Sequence, residues 1–143
     1  MRTVREILCK KGNVIWSVLP GATVYEALQL MAEKEVGAVL VIENNEIRGM
    51  LSERDYARKI VLHGRFSKDT LVTDIMSDKI FYVKPCYSTE ECMEIMISKK
   101  VRHLPVIEDD ELSGIISIGD VMEAILDEKD SEISELTRFI KGC

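Results

Sequence analysis

Two short stretches of the chain share a spacing that could hold a sugar phosphate. "SERDYARK" at 52–59 and "SIGDVMEA" at 117–124 each place an aspartate three residues after a serine: Ser52 with Asp55, and Ser117 with Asp120. A carboxylate accepts two hydroxyl hydrogens at once, which suits a ribose diol. Phosphate instead calls for cations, and the first stretch alone has them, in Arg54, Arg58 and Lys59. The same Ser-x-x-Asp spacing is also an ordinary helix cap, in which hydroxyl and carboxylate satisfy the free N–H groups of a first turn. Three cations on a soluble helix are equally compatible with a solvated face. The residues alone leave both readings open.

The two stretches are copies of one another, and what favours a ligand is their expected place at equivalent edges of a joined sheet, where clefts between two units lie. Shifted by 65 residues, the chain matches itself without a gap from Val18/Val83 to Ile60/Ile125. Identical pairs include Pro20/Pro85, Glu26/Glu91, Met31/Met96, Val36/Val101, Val41/Val106, Gly49/Gly114, Ser52/Ser117 and Asp55/Asp120. A self-match of this length marks a duplicated structural unit. Each copy reads as a short extended segment ending at proline ("VIWSVLP", "IFYVKP"), then a helix capped by Thr23 or Ser88 with Glu26 or Glu91 at the capping-box position. A hairpin with an Asn or Asp turn follows in "VGAVLVIENNEIRGMLS" and "VRHLPVIEDDELSGIIS", and a closing helix runs over 55–62 or 120–126.

The expected fold class is therefore α/β (α+β), with tandem β-α-β-β-α repeats packed sheet to sheet in pseudo-twofold symmetry, since two units of this size are marginal apart. The expected division is 1–65 for the first repeat with its N-terminal segment, 66–128 for the second with its linker, and 129–143 for a helical tail. Two further helical candidates, "TVREIL" from Thr3 and "LVTDIM" at 71–76, each lead into a repeat. In the tail, Ile133, Leu136, Phe139 and Ile140 form an apolar stripe that suits packing on the same module or on a second copy.

Composition narrows the function. A formal net charge of −6 in 143 residues argues against a general nucleic-acid or anionic-membrane surface. No apolar run reaches the roughly 18 residues of a membrane span, and the N-terminal stretch has no apolar signal core, so a cytoplasmic protein is expected. Cys9, Cys86, Cys92 and Cys143 make no CxxC pair, and His63 and His103 join no ligand cluster; reduced, incidental cysteines and no metal site are expected. No nucleophile–base arrangement or phosphate-cradling glycine loop is visible, so no catalytic residues are assigned. A nucleotide hydrolase is the weakest reading.

At this point the chain resembles the paired cystathionine-beta-synthase-type (CBS) domains, or Bateman modules. The resemblance rests on the duplicated openings at Val18 and Val83, on "KEVGAVLVIENNEIRGMLSERD" and "KKVRHLPVIEDDELSGIISIGD", and on "DIM" at 74–76. It implies an adenosine-containing ligand in clefts between the repeats, AMP or NAD(H) above all, with ADP, ATP or S-adenosylmethionine as alternatives. By that resemblance Asp55 and Asp120 are ribose carboxylates with Ser52 and Ser117 as hydroxyl companions, and Arg54, Arg58 and Lys59 face phosphate, as in stand-alone modules with a SERDYxRK motif. Arg102 and His103 project toward the cleft, and Ile80 and Tyr82 form the adenine wall. His103 is also compatible with a satisfied core histidine, and its counterpart is Ala38, as that of Arg102 is Gly37. The implied protein is a nucleotide-sensing regulator that homodimerises and signals to an unidentified regulated protein. A dimerising scaffold with vestigial pockets is the alternative.

Overall fold

In a computed structural model the protein is described over residues 2–140, the side chains of 134 and 137–140 excepted. The chain forms two compact units, Ile15–Ile80 and a second that joins Met1–Val14 to Phe81–Cys143. In the first, strand β1 (Ser17–Val18) leads to helix α2 (Val24–Lys34), the hairpin β2 (Ala38–Glu43) and β3 (Glu46–Ser52), and the single turn α3 (Glu53–Tyr56). A π-helical turn (Ala57–Val61) continues α3, and the short helix α4 (Val72–Ile75) completes the unit. The sheet order is β1-β2-β3, with β1 parallel to β2 and β2 antiparallel to β3. Val24, Ala27, Met31, Val39, Val41, Leu51, Ile60, Val72 and Ile75 form its core.

The second unit contains α1 (Val4–Lys11), α5 (Thr89–Lys99), the hairpin β4 (His103–Glu108) and β5 (Glu111–Ser117), and α6 (Ile118–Ile140). Val4, Ile7 and Leu8 of α1 are buried in its core with Val83, Cys92, Met96, Leu104, Val106, Ile116 and Val121.

The local chemistry expected from the residues accounts for most boundaries. Thr23 and Glu26 form a full capping box at α2, and the Ser88 hydroxyl accepts from Glu91 N at α5. Each hairpin turns on two residues with positive φ, Asn44 and Asn45 (53° and 63°) and Asp109 and Asp110 (52° and 64°), the left-handed pair that matches strand twist. The lead-in strand of the second repeat differs from expectation: it shrinks to one bridge, Val83 to Val106, and Ile80–Tyr82 lie in no regular element. The cause is a missing donor. Leu40 N donates to Trp16 O at 3.2 Å in the first repeat, whereas its counterpart is Pro105, which has no N–H to offer Phe81.

Two segments cross the linear division at 65/66. Val4 N donates to Tyr87 O (2.9 Å), Arg5 N to Pro85 O (3.0 Å) and Thr89 N to Arg2 O (3.0 Å), tying α1 to the second repeat. Conversely, Val24 N donates to Thr70 O (2.8 Å) and Val72 N to Ala22 O (2.9 Å), tying α4 to the first. The closing helices also differ. The first is the four-residue α3 with its π turn, while the second runs unbroken through the tail, so the tail at 129–140 is a continuation of α6. On it Ile133 and Leu136 are exposed; the stripe positions Phe139 and Ile140, and Cys143, lie outside the described side chains.

Candidate functional site

Both Ser-x-x-Asp stretches fold as strand-to-helix junctions. Ser52 ends β3 and caps α3: its Oγ accepts from Asp55 N at 3.2 Å, and Asp55 Oδ2 accepts from Ser52 N and Ser52 Oγ, both at 3.0 Å. The cap is thus made, and the carboxylate is held in one orientation beside the cations of the same turns. Lys59 lies 3.5 Å from Asp55 Oδ1 and donates to Ile75 O at 2.9 Å, so it also ties the π turn to α4. Arg58 is exposed and Arg54 is half-buried.

The second junction repeats the cap. Ser117 N donates to Asp120 Oδ2 at 2.8 Å, and Asp120 N donates to Ser117 Oγ at 3.2 Å. What differs is the cation. Lys11, from α1, reaches Asp120 Oδ2 at 2.6 Å and Ile115 O at 2.8 Å. Burial pushes the Asp120 carboxyl up, but the bonds from Lys11 and Ser117 outweigh it and hold the pKa below its ordinary value. Beside this pair opens a cleft of about 230 Å³ between α1 and α6, with Ile7 and Ala124 as apolar lining and Arg2, Lys10, Lys11 and Asp120 among the charged groups. Lys10 bridges Glu123 and Asp127, each at 3.2 Å.

Of the remaining predicted residues, His103 opens β4 directly opposite Ser117 in the hairpin register, so it belongs with the second junction. Ala38 stands opposite Ser52 in the same way. Arg102, just before β4, is exposed. Ile80 closes one unit and Tyr82, 52% exposed, lies in the other. The structure therefore groups Ser52, Arg54, Asp55, Arg58 and Lys59 in one place and His103, Ser117 and Asp120 in another. Lys11 was missed by sequence reasoning. It is 109 residues from Asp120 in the chain, and the one trace of it was the basic end of "TVREILCKK". Cys9 and Cys86 are exposed free thiols; Cys92 is buried, which, with Glu91 and Glu90 nearby, pushes its thiol up to about 11. Among the described residues no group of His, Cys, Asp and Glu could hold a metal, and no helix is long and apolar enough to cross a membrane.

Residues 4–62 and 72–127 each match the CBS domain. The chain belongs to the CBS-domain family. It is a paired-CBS chain, a Bateman module, with the tandem β-α-β-β-α fold of that family, and CBS modules are regulatory, nucleotide-binding and non-catalytic. The CBS domain-containing protein CBSX3, mitochondrial, of Arabidopsis thaliana is 36% identical over 150 residues, covering 98% of this chain and 72% of that protein. A solved CBS-domain protein from Burkholderia ambifaria is 46% identical with a TM-score of 0.85, covering 88% of this chain and 95% of that one. A more distant CBS domain protein from Pyrobaculum aerophilum, solved in complex with AMP, is 24% identical with a TM-score of 0.72, covering 83% and 89%, and shares the fold.

Proposed function

We propose that this CBS chain senses an adenine nucleotide, AMP or an NAD(H)-type ligand, and signals its presence to a protein partner, working as a cytoplasmic homodimer. In this reading Asp55 and Asp120 take ribose hydroxyls beside Ser52 and Ser117. Arg54, Arg58 and Lys59 take phosphate. Arg102 and His103 border the ligand, and Ile80 and Tyr82 flank the adenine. The observation that carries it is the first junction, where an oriented carboxylate and a set of cations rise from consecutive turns of chain (Ser52–Val61), the two chemistries a ribose phosphate needs side by side. Ligand at a hundred times its Kd would add roughly 2.7 kcal/mol to the bound state, enough to shift a marginal equilibrium.

The test is calorimetry with AMP, NAD and adenosine. Asp55→Asn should abolish binding at the first junction for all three. Replacing Arg54 and Arg58 together by Gln should weaken AMP more than tenfold and adenosine far less. Equal losses for AMP and adenosine would reject phosphate recognition. The scaffold reading has its own support, since both aspartates already complete helix caps and so have a role without any ligand. That reading expects no nucleotide to raise the melting temperature, while Asp55→Asn still lowers it.

A further inference from the structure

The two junctions are built alike and their carboxylates are equally buried, Asp55 21% and Asp120 22% exposed, but the cation stands differently on each. Each has a lysine that bridges the aspartate and a main-chain carbonyl: Lys59 with Asp55 and Ile75 O, Lys11 with Asp120 and Ile115 O. Lys59 stands off at 3.5 Å with its side chain 45% exposed, beyond the 2.7–2.9 Å typical of a strong charge-assisted bond. Lys11 closes to 2.6 Å and is 34% exposed, against an Asp120 that is 22% exposed.

We propose that Lys11 is the residue that sets the two sites apart: its ammonium holds the Asp120 carboxylate, so the first junction binds nucleotide and the second stays closed until Lys11 is displaced. The inference rests on the nucleotide reading above. A carboxylate that shares its charge with an ammonium in contact is a weaker acceptor for ribose hydroxyls than one whose cation stands apart, because incoming donors must compete with a charged donor already in place. Nor is Lys11 free to swing away with its helix. The start of α1 is pinned through Arg2, Val4 and Arg5 to the Pro85–Thr89 backbone, and its last turn is held by Lys10 on Glu123 and Asp127. Leu8 packs on Gly114 in between. The cationic end of α1 therefore sits over the second junction as a fixed part of the unit, which supplies from outside the repeat the positive charge that "SIGDVMEA" lacks.

Calorimetric titration of the full chain with AMP tests this, using wild type, Lys11→Met, Lys11→Gln, Asp55→Asn and the Lys11→Met/Asp120→Asn double variant. The wild type should bind one AMP per chain, and Asp55→Asn should bind none. Either Lys11 variant should raise it to two, and the double variant should return it to one. Two equivalent sites in the wild type, or one site in both Lys11 variants, overturns the inference while leaving nucleotide sensing intact. Weaker AMP binding in both Lys11 variants overturns it too, by making Lys11 a phosphate contact. An absence of binding in every variant removes the nucleotide reading, and the gate with it. An independent readout needs no nucleotide: in an NMR titration the Asp120 carboxyl should titrate at higher pH in Lys11→Met than in the wild type, and an unmoved titration shows that the pair is not formed in solution.

Discussion

His103 meets its surroundings through three charges. Burial lowers the imidazole pKa, Lys11 lowers it further, Asp120 opposes them, and Arg102 adds the smallest lowering. The neutral ring is thus the folded form. Between this lowered pKa and the ordinary value near 6.5 the unfolded chain binds a proton that the folded chain refuses, so stability rises with pH across that window and is lost as pH falls through it. Urea unfolding should therefore show a lower midpoint at pH 5.5 than at pH 7.5, and His103→Gln should flatten that difference; an equal slope in both proteins would contradict the assignment. At this scale the pairing of each serine with its aspartate was legible, because a cap is local chemistry. The partner of Asp120 was not, because an ion pair between Lys11 and residue 120 leaves no periodicity in the sequence.

Among the elements, the identical pair Gly49/Gly114 has one explanation in both units: each glycine lets a flanking segment lie against the second hairpin strand. A Cβ at Gly114 would come within 2.8 Å of Leu8 Cδ2 on α1, and one at Gly49 within 2.5 Å of Met76 Sδ and 2.9 Å of Ser77 O. The Leu8 side chain can yield by a rotamer change, whereas the Ser77 carbonyl is held by the bond it accepts from Met50 N, and Ser77 N in turn donates to Met50 O. Gly114→Ala should cost about 1–3 kcal/mol in urea unfolding and Gly49→Ala distinctly more; equal costs would show that the backbone near Ser77 adjusts. The hairpins were readable from Asn44-Asn45 and Asp109-Asp110, since left-handed turn positions select those residues. The loss of the second lead-in strand follows from Pro105, whose effect depends on a neighbour 24 residues earlier. The π turn after α3 has no sequence signal that we can identify.

On the scale of the whole molecule, the duplication tells what recurs but not which copy a flanking helix serves. "TVREIL" and "LVTDIM" look like equivalent preludes, yet α1 completes the second repeat and α4 the first. Val4 is 0% exposed and Leu8 5%, so α1 is core to its unit and not an accessory. Deleting residues 2–12 should accordingly leave Ile15–Ile80 folded and strip amide protection from 81–126, measured by hydrogen exchange. Loss of protection within 15–80 instead would mean that α1 supports the repeat it precedes.

That exchange of helices has a consequence for biosynthesis. Lys11 and the apolar face of α1 are made well before their shelter, since the core residues around them extend to Ala124, about 110 residues later. At about 5–20 residues per second a ribosome needs on the order of ten seconds to supply them. Every part of the Ile15–Ile80 unit is translated within that interval. Helix α1 must wait, exposed, for its partners to emerge.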